Sequence, residues 1–196
     1  MFIEPVPEDA ATGDLAAWYA SQRAAWGFLP DYAGCFATRP DAAQAWTHLN
    51  LTIRGGMERR RFELATIAAA RARRSTYCTA AHASFLRDVC ADPATVEALA
   101  AAPDGSTLAE ADAAVFAFAT KVATDAASVE QADVAALRRH GLTDADVADV
   151  VLAVAARAFF TTVLDGLGAR LDRPTAESFP PEVMAAMVVG RPVKDG

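Results

Sequence analysis

Cysteine is scarce in this chain: Cys35, Cys78 and Cys90 are the only three among 196 residues. An odd, sparse set excludes a disulfide scaffold and suits reduced thiols. No run of alternating branched and polar residues lies between turn residues, so a β-sheet is not expected. Basic residues are outnumbered, with 18 Lys and Arg against 25 Asp and Glu for a net charge of −7. That balance excludes a phosphate-binding face and nucleic acid as partner. Apolar runs such as Val150 to Ala156 are too short to span a bilayer. The start, Met1-Phe2-Ile3-Glu4-Pro5, has neither the basic nor the apolar region of an export signal. A cytoplasmic location without a membrane partner is the expectation. There is no glycine-rich phosphate loop, which removes support for a nucleotide or flavin cofactor. His48 and His140 are isolated, so no ligand set with metal spacing forms.

What is present is helix-forming sequence. Hydrophobic residues make up 53% of the chain, much of it alanine, the best helix former. Helices are predicted over 13–26, 31–37 and 40–54, the last ended by Gly55-Gly56. Others follow over 57–73, 76–89 and 93–102, with Ser75 and Asp92 as caps. Pro103-Asp104-Gly105 marks a break between halves of about 12–103 and 106–171 within one helical domain, 1–196. Two capping boxes are expected, at Thr107–Glu110 and Ser128–Gln131, and Thr143–Asp146 opens a long helix to Leu164. A proline-bearing tail, 172–196, carries an apolar run, Val183 to Val189, that needs a cover on its own body or a neighbour. The basic cluster Arg59-Arg60-Arg61 reads as a solvated helix face.

The informative stretch runs from Glu63 to His82. With Ser75 as N-cap, Cys78 lies in the first turn of a helix, where free amides and the macrodipole favour a thiolate. His82 is four residues on, on the same face and within reach, and can accept the thiol proton. Glu63 lies on the preceding helix, where an antiparallel return brings it near His82.

This segment resembles the signature of the carboxymuconolactone decarboxylase/AhpD-like superfamily. In that signature a glutamate is followed twelve residues later by Cys-x-x-Cys and then, after three residues, a histidine. Glu63, Cys78 and His82 match; Ser75 stands where the first cysteine would be. Gly141-Leu142-Thr143-Asp144 and Asp165-Gly166-Leu167-Gly168 are similar to the second half of the peroxidase-related branch, with Thr161-Thr162 in place of a frequent Asn-Arg pair. The resemblance, over roughly 15–171, implies an all-α AhpD-like fold around a central antiparallel helix hairpin, and a homo-oligomer, trimer or hexamer.

It also implies an antioxidant peroxidase without cofactor. Cys78 would attack the peroxide, His82 and Glu63 would relay the proton, and Ser75 would cap the helix and donate to the thiolate. Without a cysteine at position 75, the reductant would be an external thiol or Cys35. Cys90 lies about 18 Å along the same helix and cannot resolve Cys78 within it. Two alternatives stand beside this one. One is a lyase acting on a small lactone acid through His82, Glu63 and an arginine such as Arg54 or Arg71. The other is a helical binding or assembly protein without turnover.

Overall fold

The computed structural model describes residues 1–194, and they contain helices and no strand. After a lead-in come α1 (Gly13–Trp26), a 3-10 turn (Asp31–Phe36), α2 (Pro40–Gly56), α3 (Arg59–Ala72), α4 (Thr76–Asp88) and α5 (Pro93–Ala101). The second half holds α6 (Glu110–Asp125), α7 (Gln131–Arg139), α8 (Asp144–Leu167), α9 (Arg173–Glu177) and α10 (Pro181–Met187).

The centre of the fold is α3. Every residue from Phe62 to Ala70 is buried, and the helix packs against α4, α6 and α8. Ala65, Ala68, Ala69 and Ala70 are wholly inaccessible. Four methyl-sized side chains let three neighbours approach on different sides of one helix, which larger residues would hold apart. Two polar side chains share this buried stretch: Glu63, which is paired with Arg59 and His82, and Thr66, whose hydroxyl has no partner among the described residues.

The α3–α4 reversal uses no spare residue. Ser75 N donates to Ala70 O at 2.9 Å and Arg74 N to Arg71 O at 2.9 Å, the bond pair of a Schellman ending. Arg74 occupies the left-handed position usually given to glycine, with φ +58°. Ser75 ends one helix and begins the next: its carbonyl accepts Thr79 N at 3.0 Å. Its side chain makes no cap bond, contrary to the expectation.

Several other ends also differ from the sequence reading. Both Gly55 and Gly56 are helical, so the stop comes at Met57, whose amide bonds Arg54 O. Thr107 does not cap α6; its hydroxyl donates to Ala98 O. The box at α7 pairs Glu130 with Asp133 and does not involve Ser128. Thr143 and Asp146 form a capping box that opens α8. The arginine triplet is no solvated face. Arg59 pairs with Glu63, Arg60 with Asp92 and Asp112, and Arg61 with Asp146, joining α3 to α4–α5, α6 and α8. By length and composition α8 could cross a membrane, with 24 residues and a mean hydropathy of 1.9 in its most apolar window. Half of that window is buried within the fold, against α2, α3 and α6.

The tail finds its cover on its own body. Val183, Met184 and Met187 are buried, and α10 packs on α4 and α5. Beyond it, Gly190 N donates to Thr76 Oγ1 at 3.0 Å, and Arg74 Nε donates to Val189 O at 3.3 Å. A Cβ on Gly190 would fall 1.8 Å from the Arg74 carbonyl oxygen, so only glycine fits there. Gly190→Ala is expected to lose the strap over the α3–α4 turn and to cost roughly 1–3 kcal/mol. Thermal unfolding, with limited proteolysis after residue 187, measures both effects; an unchanged midpoint and an uncut tail would contradict the clamp.

Candidate active site

Helix α4 carries the sulfur. Ser75 is its N-cap residue, so Cys78 is the third helical residue, and the amides of Thr76, Tyr77 and Cys78 precede the first intrahelical bond. Their partial positive charge favours an anion. Burial works the other way and pushes the Cys78 thiol up from its ordinary value; the side chain is 1% exposed. Arg157 opposes that rise. It comes from α8, and its Nη1 donates to Cys78 Sγ at 3.6 Å. Ser75 Oγ is near enough to the Cys78 thiol to favour its ionisation, yet it is buried without a hydrogen-bond partner.

One turn along α4, His82 faces back to α3. Its Nδ1 lies 2.5 Å from Glu63 Oε2, and Arg59 Nε donates to Glu63 Oε1 at 2.5 Å. Glu63 is wholly buried. Burial alone would raise its carboxyl, but His82 and Arg59 outweigh that and hold it below the usual carboxylate value. An ionised Glu63 can only accept, so the Nδ1 hydrogen belongs to His82 and Nε2 is left as the basic nitrogen. Burial, aided by the Arg157 charge, pushes the imidazole down to about 4. The ring is neutral at neutral pH, held edge-on to Phe62 at 6.2 Å and Phe85 at 5.6 Å.

Cys78, His82, Glu63 and Arg157 all border one cavity of about 210 Å³, whose walls include Trp18, Trp26, Trp46, Phe85, Phe160 and Arg54. The hairpin thus brings Glu63 to His82. It does not join His82 to the sulfur: among the described residues no hydrogen bond links the ring to Cys78, and the polar group at the sulfur is Arg157. Tyr77 also borders this cavity; it is buried and its hydroxyl donates to Asp172. Arg71 is remote from the cavity and donates to Ala186 O. Cys35 does not border it either. That thiol lies 3.6 Å from Met1 Sδ and is pushed up to about 12 by burial, which makes it a poor reductant for Cys78. No group of three His, Cys, Asp or Glu that could hold a metal occurs among the described residues.

The residues missed by sequence reading are Arg157, Trp46 and Phe160. Arg157 Cζ lies 5.7 Å from the Trp46 ring and 5.4 Å from Phe160, and those two rings stack at 3.9 Å. A signal existed. Arg157 stands four residues after Ala153 and seven after Val150, on the stripe of α8 that ends buried. A lone charge on such a stripe has a purpose other than solvation.

The His82 shift makes stability depend on pH. The folded ring takes a proton only near about 4, the unfolded one near 6.5, so the neutral form stabilises the fold above 6.5. That contribution is lost as pH falls from 6.5 through 4, on the order of 3 kcal/mol in all. Denaturant unfolding at a series of pH values should show this slope in the wild type and a flatter one in His82→Gln. Parallel curves would refute the assignment.

Residues 40–121 match the Carboxymuconolactone decarboxylase family. No curated protein matches the sequence. The chain is similar to the alkylhydroperoxidase AhpD core structure of an uncharacterized peroxidase-related protein from Ralstonia eutropha JMP134. The TM-score is 0.77 at 23% identity, over 97% of each chain. An uncharacterized peroxidase-related protein from Silicibacter sp. TM1040 aligns with a TM-score of 0.72 at 19% identity, over 89% of this chain and 91% of that one. The debrominase Bmp8, solved as a cysteine-to-alanine variant with 2,3,4-tribromopyrrole, gives 0.73 at 17% identity, over 95% and 96%. At these identities the structural likeness is one of fold. The matched segment runs from the start of α2 into α6 and contains Glu63, Ser75, Cys78 and His82; it is similar to that family, and the chain as a whole has the all-α fold of these structures.

Proposed function

We propose that the protein is a thiol-dependent peroxidase that reduces organic hydroperoxides at Cys78. The observation that carries this reading is the contact between a buried Cys78 sulfur and a buried Arg157 guanidinium, on the wall of the cavity that also holds a neutral His82 backed by Glu63. Arg157 favours the thiolate, and the neutral imidazole leaves Nε2 free to take up the thiol proton transiently.

In the first half-reaction the Cys78 proton passes to His82, directly or through a water. The thiolate attacks the terminal hydroperoxide oxygen. An S–O bond forms, the O–O bond breaks, and the electron pair leaves with the alkoxide, which takes the proton from His82 as the alcohol. The sulfur is oxidised by two electrons to a sulfenic acid and the peroxide is reduced by two. In the second half an external thiol displaces water to give a mixed disulfide, and a second thiol releases Cys78 and carries away the disulfide. Ser75 cannot form the internal disulfide of a Cys-x-x-Cys site, and Cys35 is turned to Met1, which supports an external reductant. The protein would act in the cytoplasm as a homo-oligomer. Exposed Leu49 on α2, with Leu152 and Phe159 on α8, is the apolar surface available for assembly.

Treatment of the reduced protein with cumene hydroperoxide, then a sulfenate-selective reagent, should label Cys78 in mass spectra. Cys78→Ala should lose peroxide consumption, and His82→Gln should slow it about 10²-fold. Because burial holds the thiol up, the rate should climb from about pH 7 to pH 9 without a plateau. Absence of label at Cys78, or equal consumption by Cys78→Ala, would remove the peroxidase reading.

A further inference from the structure

We infer that the cavity takes a ring-bearing organic anion, an aromatic carboxylate by chemical class, with Arg157 and Arg54 as its anion-binding residues. This rests on the cavity being the reaction site proposed above, and names what the substrate carries besides its reacting group.

The first argument is charge. The chain carries −7 overall, yet its cavity is bordered by Arg54, Arg59 and Arg157 against one carboxylate, Glu63. Glu63 is already committed: one oxygen accepts from Arg59 and the other from His82. Among the described residues neither Arg54 nor Arg157 has an ion-pair partner. For Arg157 this matters most, because it is 3% exposed and water cannot solvate its charge fully. Nη1 reaches the Cys78 sulfur, but among the described residues Nε is buried without a partner and no hydrogen bond of Nη2 occurs. Those two donors form the side-on fork of a guanidinium, the edge that binds a carboxylate through two parallel bonds. A thiolate at Cys78 would occupy Nη1 and leave the fork open.

The second argument is shape. Trp46 and Phe160 stack face to face with Arg157 over them, and Trp26 lies 5.3 Å from Phe85 on the same lining. Flat aromatic walls beside a cation suit a flat ring whose carboxylate meets the guanidinium. Asn50 Oδ1, also buried and unpartnered on this lining, can accept from a hydroxyl or hydroperoxide O–H on the ligand. Arg157 lies outside the segment that matches the family, so this specificity belongs to the chain's own second half.

The protein carries its own reporter, since all three of its tryptophans, Trp18, Trp26 and Trp46, border the cavity. Intrinsic fluorescence of the full chain is titrated with benzoate, benzamide and acetate. Benzoate should bind saturably and at least about tenfold more tightly than benzamide, and acetate, with no ring, more weakly than benzoate. Arg157→Met should abolish the preference for benzoate over benzamide while keeping weak binding of both. Should that variant not fold, Arg54→Met should reduce the same preference, and added salt should weaken benzoate binding alone in the wild type. Peroxide consumption by the same wild-type protein is read separately, so benzoate binding without turnover would remove only the peroxidase reading, and turnover without a benzoate preference only this one. Equal binding of benzoate and benzamide, a preference that survives both arginine substitutions, or no saturable binding would overturn the inference.

Discussion

A buried guanidinium with no carboxylate partner among the described residues is the constraint around which this site is arranged. Arg157 is buried on α8, held over two aromatic rings, and directs one nitrogen at the sulfur of Cys78. Burying such a charge unpaired costs several kcal/mol, so the local structure must offset it with the means at hand. The π faces of Trp46 and Phe160 supply part of that, and a thiol that can become a thiolate supplies more. The same charge opposes the rise that burial imposes on Cys78 and helps keep His82 neutral. Burial is the larger influence on both groups, and this one side chain biases each of them toward the form that the proposed chemistry uses.

That arrangement depends on a backbone that leaves no slack. The reversal between α3 and α4 takes only Arg73, Arg74 and Ser75, with Arg74 in a left-handed conformation that non-glycine residues adopt at a cost. The tail covers this turn: Gly190 lies against the Arg74 carbonyl and bonds Thr76. With the turn fixed, Glu63 and His82 are set opposite each other across the hairpin, and Arg59 closes the far side of the carboxylate. The alanine face of α3 then lets α8 approach closely enough for Arg157 to reach a sulfur on α4.

Much of this was legible in the sequence, and the reasons for the rest are physical. Helices were readable because alanine content, caps and glycine stops act locally; α8 opens after Thr143, where the sequence placed its start. The meeting of Glu63 with His82 followed from counting residues around one turn. The capping role of Ser75 did not, because its hydroxyl is buried toward Cys78 and Asp165 and turned away from the amides it would cap. The arginine triplet was misread as solvated because its partners, Asp92, Asp112 and Asp146, lie 32 to 85 residues further along. Arg157 stood out locally only as a lone charge on a buried stripe of α8; what it meets could not be read, because its neighbour at the sulfur is 79 residues away.

The account stands most directly on the ionisation of one thiol. Titration of Cys78 by thiolate absorbance, in a chain with Cys35 and Cys90 replaced by alanine, compares the parent with Arg157→Met. Removing the guanidinium should move the Cys78 pKa upward by about a unit or more, while His82→Gln should move it less. An unchanged Cys78 pKa in Arg157→Met would show that the buried arginine does not govern the sulfur, and would contradict the account.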